Sequence, residues 1–125
     1  GSVGRALEIN ADEGFAALLE RALSSLAALK DAATVAEAAA PLYEERERQE
    51  ELLELFETIG RDRMALQNGA EPAAFTRAEL ENIRVDGSAL MLAVMEARRM
   101  LFANVSWPNA LDAMYFSLAR EKNRA

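Results

Sequence analysis

Apolar side chains follow a helical period through most of the chain. From about Asp12 to Lys30, Phe15, Leu19, Leu23 and Leu26 recur at steps of four and three, flanked by Leu18, Ala22 and Leu29, which predicts an amphipathic helix with one face in a core. Asp12 and Glu13 suit the positive end of its dipole and Lys30 the negative end. The alanine-rich stretch Ala32 to Ala40, closed by Pro41, predicts a short helix that approaches its neighbours closely. A long helix is expected from Leu42 to Asn68, in two parts. The first, EERERQEE at 44–51, offers no apolar face, so it should stand in solvent or against a charged partner, supported by i,i+4 pairs of Glu44 with Arg48 and Arg46 with Glu50. The second resumes the period with Leu52, Leu55, Phe56, Ile59 and Leu66, and Asn68-Gly69 is a common terminator.

The remainder of the chain carries clear punctuation. After a loop around Pro72, Thr76 and Glu79 have the spacing of a capping box and Phe75 and Leu80 that of a hydrophobic staple, predicting a short helix from Arg77 to Arg84. Asp86 or Ser88 can cap the next helix, about Ala89 to Ala103, where Leu90, Val94, Ala97 and Leu101 form a stripe widened by Met91, Met95 and Phe102. That helix is apolar over more than half its circumference. A last helix begins near Pro108, carries Leu111, Met114, Tyr115 and Leu118, and ends in the tail Arg120, Lys122, Arg124. With no strand pattern, the expected fold is all-α, a single compact helical bundle of about five to six helices over residues 11–125. Residues 1–10, opening on Gly1-Ser2, are taken as a tag remnant and linker, which suggests a piece of a longer protein.

Composition narrows the chemistry. The chain of 125 residues is the size of one domain, and it contains no cysteine and no histidine. Disulfides, thiol catalysis and cysteine zinc sites are thereby excluded, along with most metal and acid/base chemistry at neutral pH. A Glu-x-x-His di-metal site is impossible, no phosphate-binding Gly-x-x-x-x-Gly-Lys loop is present, and Lys30 and Lys122 are the only lysines. We therefore expect no catalytic residue, cofactor, metal or small-molecule substrate. The net charge of -7 resides in the first half, since residues 1–70 hold 14 acidic against 7 basic side chains and residues 71–125 hold 7 of each. One short basic tail makes direct nucleic-acid binding unexpected. No apolar run approaches the roughly 20 residues that span a bilayer, and the lack of cysteine suits a cytoplasmic protein.

Three local features invite a role. Trp107 plugs the bundle end or sits in a subunit contact. Arg61 and Asp62 interrupt an apolar helix and must meet groups on neighbouring helices or mark the edge of an interface. Asn104 follows a helix, and its amide is placed to bind free backbone groups in the turn before Trp107 and Pro108.

Two stretches carry a family resemblance. Leu55 to Gly69, LFETIGRDRMALQNG, resembles the helix with an Arg-Asp pair in the C-terminal domains of bacterial DNA polymerase III clamp-loader subunits. Glu96 to Lys122, EARRMLFANVSWPNALDAMYFSLAREK, resembles the close of the delta-prime subunits: a helix with a basic residue, here Arg98, an Ala-Asn turn, then a helix with regularly spaced Leu. The resemblance implies a helical collar domain that joins other clamp-loader subunits in a ring, while AAA+ domains elsewhere use ATP to load the sliding clamp during DNA replication. It implies structural rather than catalytic roles for Arg61, Asp62 and Asn104, and favours delta-prime over gamma/tau. The alternative is a stand-alone helical adaptor or regulatory domain that holds a basic partner protein with its acidic segment 44–51.

Overall fold

Six α-helices and three short 3-10 turns make up the described residues, 13–124, of a computed structural model, and no strand occurs among them. The tag remnant at 1–10 and the placement of Asp12 lie outside that range. The helices are α1 (Glu13–Ala28), α2 (Val35–Ala39), α3 (Gln49–Gln67), α4 (Arg77–Leu80), α5 (Gly87–Phe102) and α6 (Trp107–Arg124). One contiguous apolar core draws on all six, from Leu18 and Leu26 through Leu52, Phe56 and Ile59 to Leu90, Val94, Leu111 and Leu118. The expected all-helical bundle is therefore the observed one.

The principal departure lies between α2 and α3. No continuous helix runs from Leu42; instead a 3-10 turn at Ala40–Leu42 and another at Arg46–Arg48 carry the chain round a corner before α3 begins at Gln49. The reason is burial. Leu42, Leu52 and Leu53 are all fully buried, and a straight helix through the wholly polar residues 44–51 would leave that stretch without a core-facing side. The corner's charges accordingly reach sideways. Glu45 pairs with Arg21 of α1, Arg48 makes a bidentate pair with Glu51, and Arg48 also stacks over the Phe15 ring at 6.0 Å, in place of the expected i,i+4 pairs. The Tyr43 hydroxyl donates to Asp112 Oδ1 of α6 at 2.5 Å, and that bond to an anion, helped by burial, raises its pKa to about 12.

Local signals mark the remaining boundaries. Asp31 and Thr34 form a reciprocal capping box over the 3-10 turn Ala32–Thr34, which leads into α2, so the alanine-rich stretch is α2 with a 3-10 turn at each side. Thr76 and Glu79 form their box, and Phe75 and Leu80 are both buried as a staple requires. Helix α4 nevertheless ends at Leu80 rather than Arg84, because Ile83 and Val85 leave the helical path to enter the core. Asp86, not Ser88, caps α5: its carboxylate accepts from the Ala89 amide, the Ser88 hydroxyl and the Gln67 side chain, and the Ser88 bond leads the causes that hold its pKa low.

A buried polar relay ties α1, α2 and α6. Ser25 Oγ lies 2.5 Å from the Ala38 carbonyl oxygen and 2.5 Å from the Tyr115 hydroxyl. A carbonyl only accepts, so Ser25 spends its one proton there and Tyr115 must donate to Ser25. Burial of the phenol raises the Tyr115 pKa far above its ordinary value. Tyr115→Phe should cost about 1 kcal/mol, since the relay loses one neutral hydrogen bond while Ser25 keeps its own acceptor. Ser25→Ala should cost more, about 2 kcal/mol, because the buried Tyr115 hydroxyl then lacks an acceptor. Urea melts of both variants read that order directly.

Candidate interface

The five residues singled out in the sequence do not converge on one site. Asp62 is 2% exposed, and its carboxylate accepts three backbone amides of the loop before α4: Ala73 at 3.0 Å, Ala74 at 2.9 Å and Phe75 at 2.7 Å. Arg61 beside it points to solvent. The two are thus separate in role, Asp62 being a loop anchor buried behind the helix. Arg98 of α5 reaches Glu50 and Glu57 of α3, each at 3.0 Å, and Glu50 and Glu57 stand two turns apart on one face. Its guanidinium therefore clamps α5 to α3.

Asn104 and Trp107 do come together, at the turn between α5 and α6. Asn104 adopts φ +68°, its amide N–H donates to the Leu101 carbonyl at 3.0 Å, and that of Val105 donates to Met100 at 2.9 Å. This is a Schellman ending, the left-handed position being one that Asn tolerates better than most residues. Among the described residues the turn is thus closed by backbone groups, and the expected role of the Asn104 side-chain amide is not the one observed. Trp107 is buried, and its indole N–H donates to the Leu42 carbonyl at 2.8 Å, so it plugs the bundle end and pins the corner before α3. Arg46, Gln49, Asn104 and Ser106 rim a shallow cavity of about 360 Å³ above it.

Exposed large apolar side chains lie elsewhere, mostly on the outer side of α5. Leu92 is 64% exposed, Met95 53% and Phe102 93%, while Phe116 of α6, across a groove of about 440 Å³, is 45% exposed. Glu96 and Arg120 give this groove one acid and one base, and Met100 lines its floor. Isolated exposed apolar residues are ordinary, but three large ones along the outer side of one helix, with Phe116 across the groove from Leu92, make this surface a candidate for contact. Met95 and Phe102 were legible as extra width on the core stripe; Leu92 and Phe116 were missed. The signal was present, because Leu92, Met95, Arg99 and Phe102 repeat at steps of three, four and three, out of phase with the core positions Leu90, Val94, Ala97 and Leu101. Helix α5 carries two seams.

No group of three or more acidic side chains among the described residues is placed to hold a metal ion, and no buried side-chain nitrogen or oxygen among them lacks a hydrogen-bond partner. No described helix is long and apolar enough to cross a membrane. Comparison with family models, with curated proteins and with solved structures gives no match to this chain, so no relative or structural neighbour identifies it as a clamp-loader collar.

Proposed function

We propose that this chain is a non-catalytic assembly domain that joins a larger complex through the outer face of α5 and its groove against α6. The observation that carries the reading is the exposure of Leu92, Met95 and Phe102 along the outer side of α5, with Phe116 across the groove from Leu92, while no buried side-chain nitrogen or oxygen among the described residues lacks a hydrogen-bond partner. The clamp-loader resemblance of 55–69 and 96–122 supplies the partners: the other subunits of a DNA polymerase III clamp loader, in the cytoplasm, with the collar supporting ATP-driven clamp loading in replication without taking part in its chemistry. Behind the face, Arg98 ties α5 to α3, Trp107 closes the bundle end, and Asp62 holds the loop into α4.

Leu92→Asp combined with Phe116→Asp should abolish co-elution with the loader subunits in size-exclusion chromatography, because central apolar contacts of an interface are worth about 2 kcal/mol or more each, roughly 30-fold in affinity. Far-UV circular dichroism should stay unchanged, both residues being exposed. If neither this chain nor the full-length protein associates with those subunits, the clamp-loader reading is wrong. The adaptor reading, in which the acidic segment grips a basic partner, has less support. Glu45, Glu50 and Glu51 are already engaged by Arg21, Arg98 and Arg48 within the chain. Reversing charge at Glu44, Glu47 and Glu51 should leave assembly intact.

A further inference from the structure

The outer seam of α5 has a spacing and a charge order that specify what lies against it. Leu92, Met95, Arg99 and Phe102 occupy alternating three- and four-residue steps, as the a and d positions of a heptad do, in a short seam of the kind another helix can cover. Its one charge at a seam position is Arg99, and Glu96 stands one turn earlier, within 3.0 Å of Arg99 in the same helix; both side chains are largely exposed. We propose that a second copy of this chain docks antiparallel along α5, with Leu92 against Phe102 of the second copy, Met95 against the aliphatic stem of Arg99, and each Arg99 within reach of Glu96 across the seam. This goes beyond the assembly reading: it concerns the free chain, in which a second copy takes the face that a different subunit would otherwise cover.

Orientation follows from the charges. In a parallel pair in register, Arg99 would meet Arg99, two like charges in an apolar seam. In the antiparallel pair the acid in the first half of each seam faces the base in the second half of the other, twice, as a two-fold axis near position 97 requires. The aliphatic part of Arg99 can cover the apolar side chain opposite while its guanidinium reaches the rim. From Leu92 to Phe102 the seam is about 15 Å long, short of the roughly 800 Å² per partner of a standard interface. The pairing is therefore weak, with a dissociation constant of roughly 10 to 1000 µM.

Sedimentation velocity across that concentration range tests it. The chain should shift reversibly from monomer to dimer, and Glu96→Arg alone and Arg99→Glu alone should each weaken the dimer by about tenfold or more, since each puts like charges across the seam. Mixed in equal amounts, the two variants should pair with each other, a rescue that changes within one helix cannot produce. Direction is read by oxidation, the native chain having no cysteine. Leu92→Cys mixed with Phe102→Cys should give a cross-linked pair, whereas Leu92→Cys alone should not. A chain that stays monomeric at 1 mM overturns the proposal, as does self-cross-linking of Leu92→Cys. The assembly reading is judged separately, by co-elution of the L92D/F116D variant with loader subunits.

Discussion

Asp62→Ala should lower stability by about 3–5 kcal/mol, because it leaves three backbone amides in and beside the core without their charged acceptor. The donors belong to Ala73, Ala74 and Phe75, the residues that bring the chain from the end of α3 into the capping box of α4. Each bond to an ionised carboxylate contributes about 1.5–3 kcal/mol in isolation, but the three share one loop and will not add in full. Asp62→Asn keeps a single acceptor oxygen and turns an NH2 group toward an amide donor, so it should recover less than half of the loss. For a chain of this size each kcal/mol is about 3–5 °C in Tm, placing the alanine variant roughly 10–20 °C below the parent. Arg61→Ala, one position away and exposed, should stay within about 0.5 kcal/mol. Equal melting of the two variants would overturn the separation of roles. Hydrogen exchange gives a second reading: amides 73–75 should lose protection before those of α1.

The contrast between Arg61 and Asp62 shows where sequence reasoning ran out. Their spacing identified a costly pair in an apolar helix, but the groups that satisfy Asp62 are backbone amides 11 to 13 positions later, and an amide carries no sequence signature. Features built from neighbours were legible: the Thr76–Glu79 box, the Phe75–Leu80 staple and a cap at Asp86 or Ser88 each depend on residues within a few positions. The corner before α3 was not. Its run of alternating acids and bases suits an exposed helix by local rules, and only the need to bury Leu42 and Leu52 together breaks it. The exposed face of α5 was half legible for a related reason. Burial assigns one stripe of α5 to the core and leaves the other in view, and which residues go with which stripe depends on the angle at which α5 meets α3 and α6.

Helices α3 and α5 approach most tightly at two glycines, and Gly87→Ala should be strongly destabilising. A Cβ on Gly87 would run into the carbonyl oxygen of Gly60 and stand 2.5 Å from the Met64 backbone nitrogen and 2.7 Å from its Cγ. Two of those three neighbours are backbone of α3, which cannot rotate aside, so relief requires α5 to move away from α3 as a unit. The first turn of α5 is fixed to α3 at that same point, where Gln67 accepts from the Gly87 amide at 3.0 Å and donates to Asp86 at 2.9 Å. Overpacking of this kind costs about 1–3 kcal/mol when side chains can adjust; against backbone, with two hydrogen bonds and the Asp86 cap strained as well, about 4 kcal/mol is expected. Gly60→Ala meets the same crossing from the other side with a different outcome. Its Cβ would lie 2.9 Å from Met91 Cγ, the flexible part of a long side chain, and 3.0 Å from the Gly87 carbonyl oxygen, while alanine in mid-helix regains about 1 kcal/mol of propensity. It should lose no more than about 1 kcal/mol. The displacement in Gly87→Ala also turns the outer seam of α5 relative to α6, so the variant should lose partner binding at temperatures where it is still folded, whereas Gly60→Ala keeps it. Thermal melts and co-elution, run side by side on both variants, separate the two glycines; equal losses would mean that the close approach of α3 and α5 is not what positions the interface.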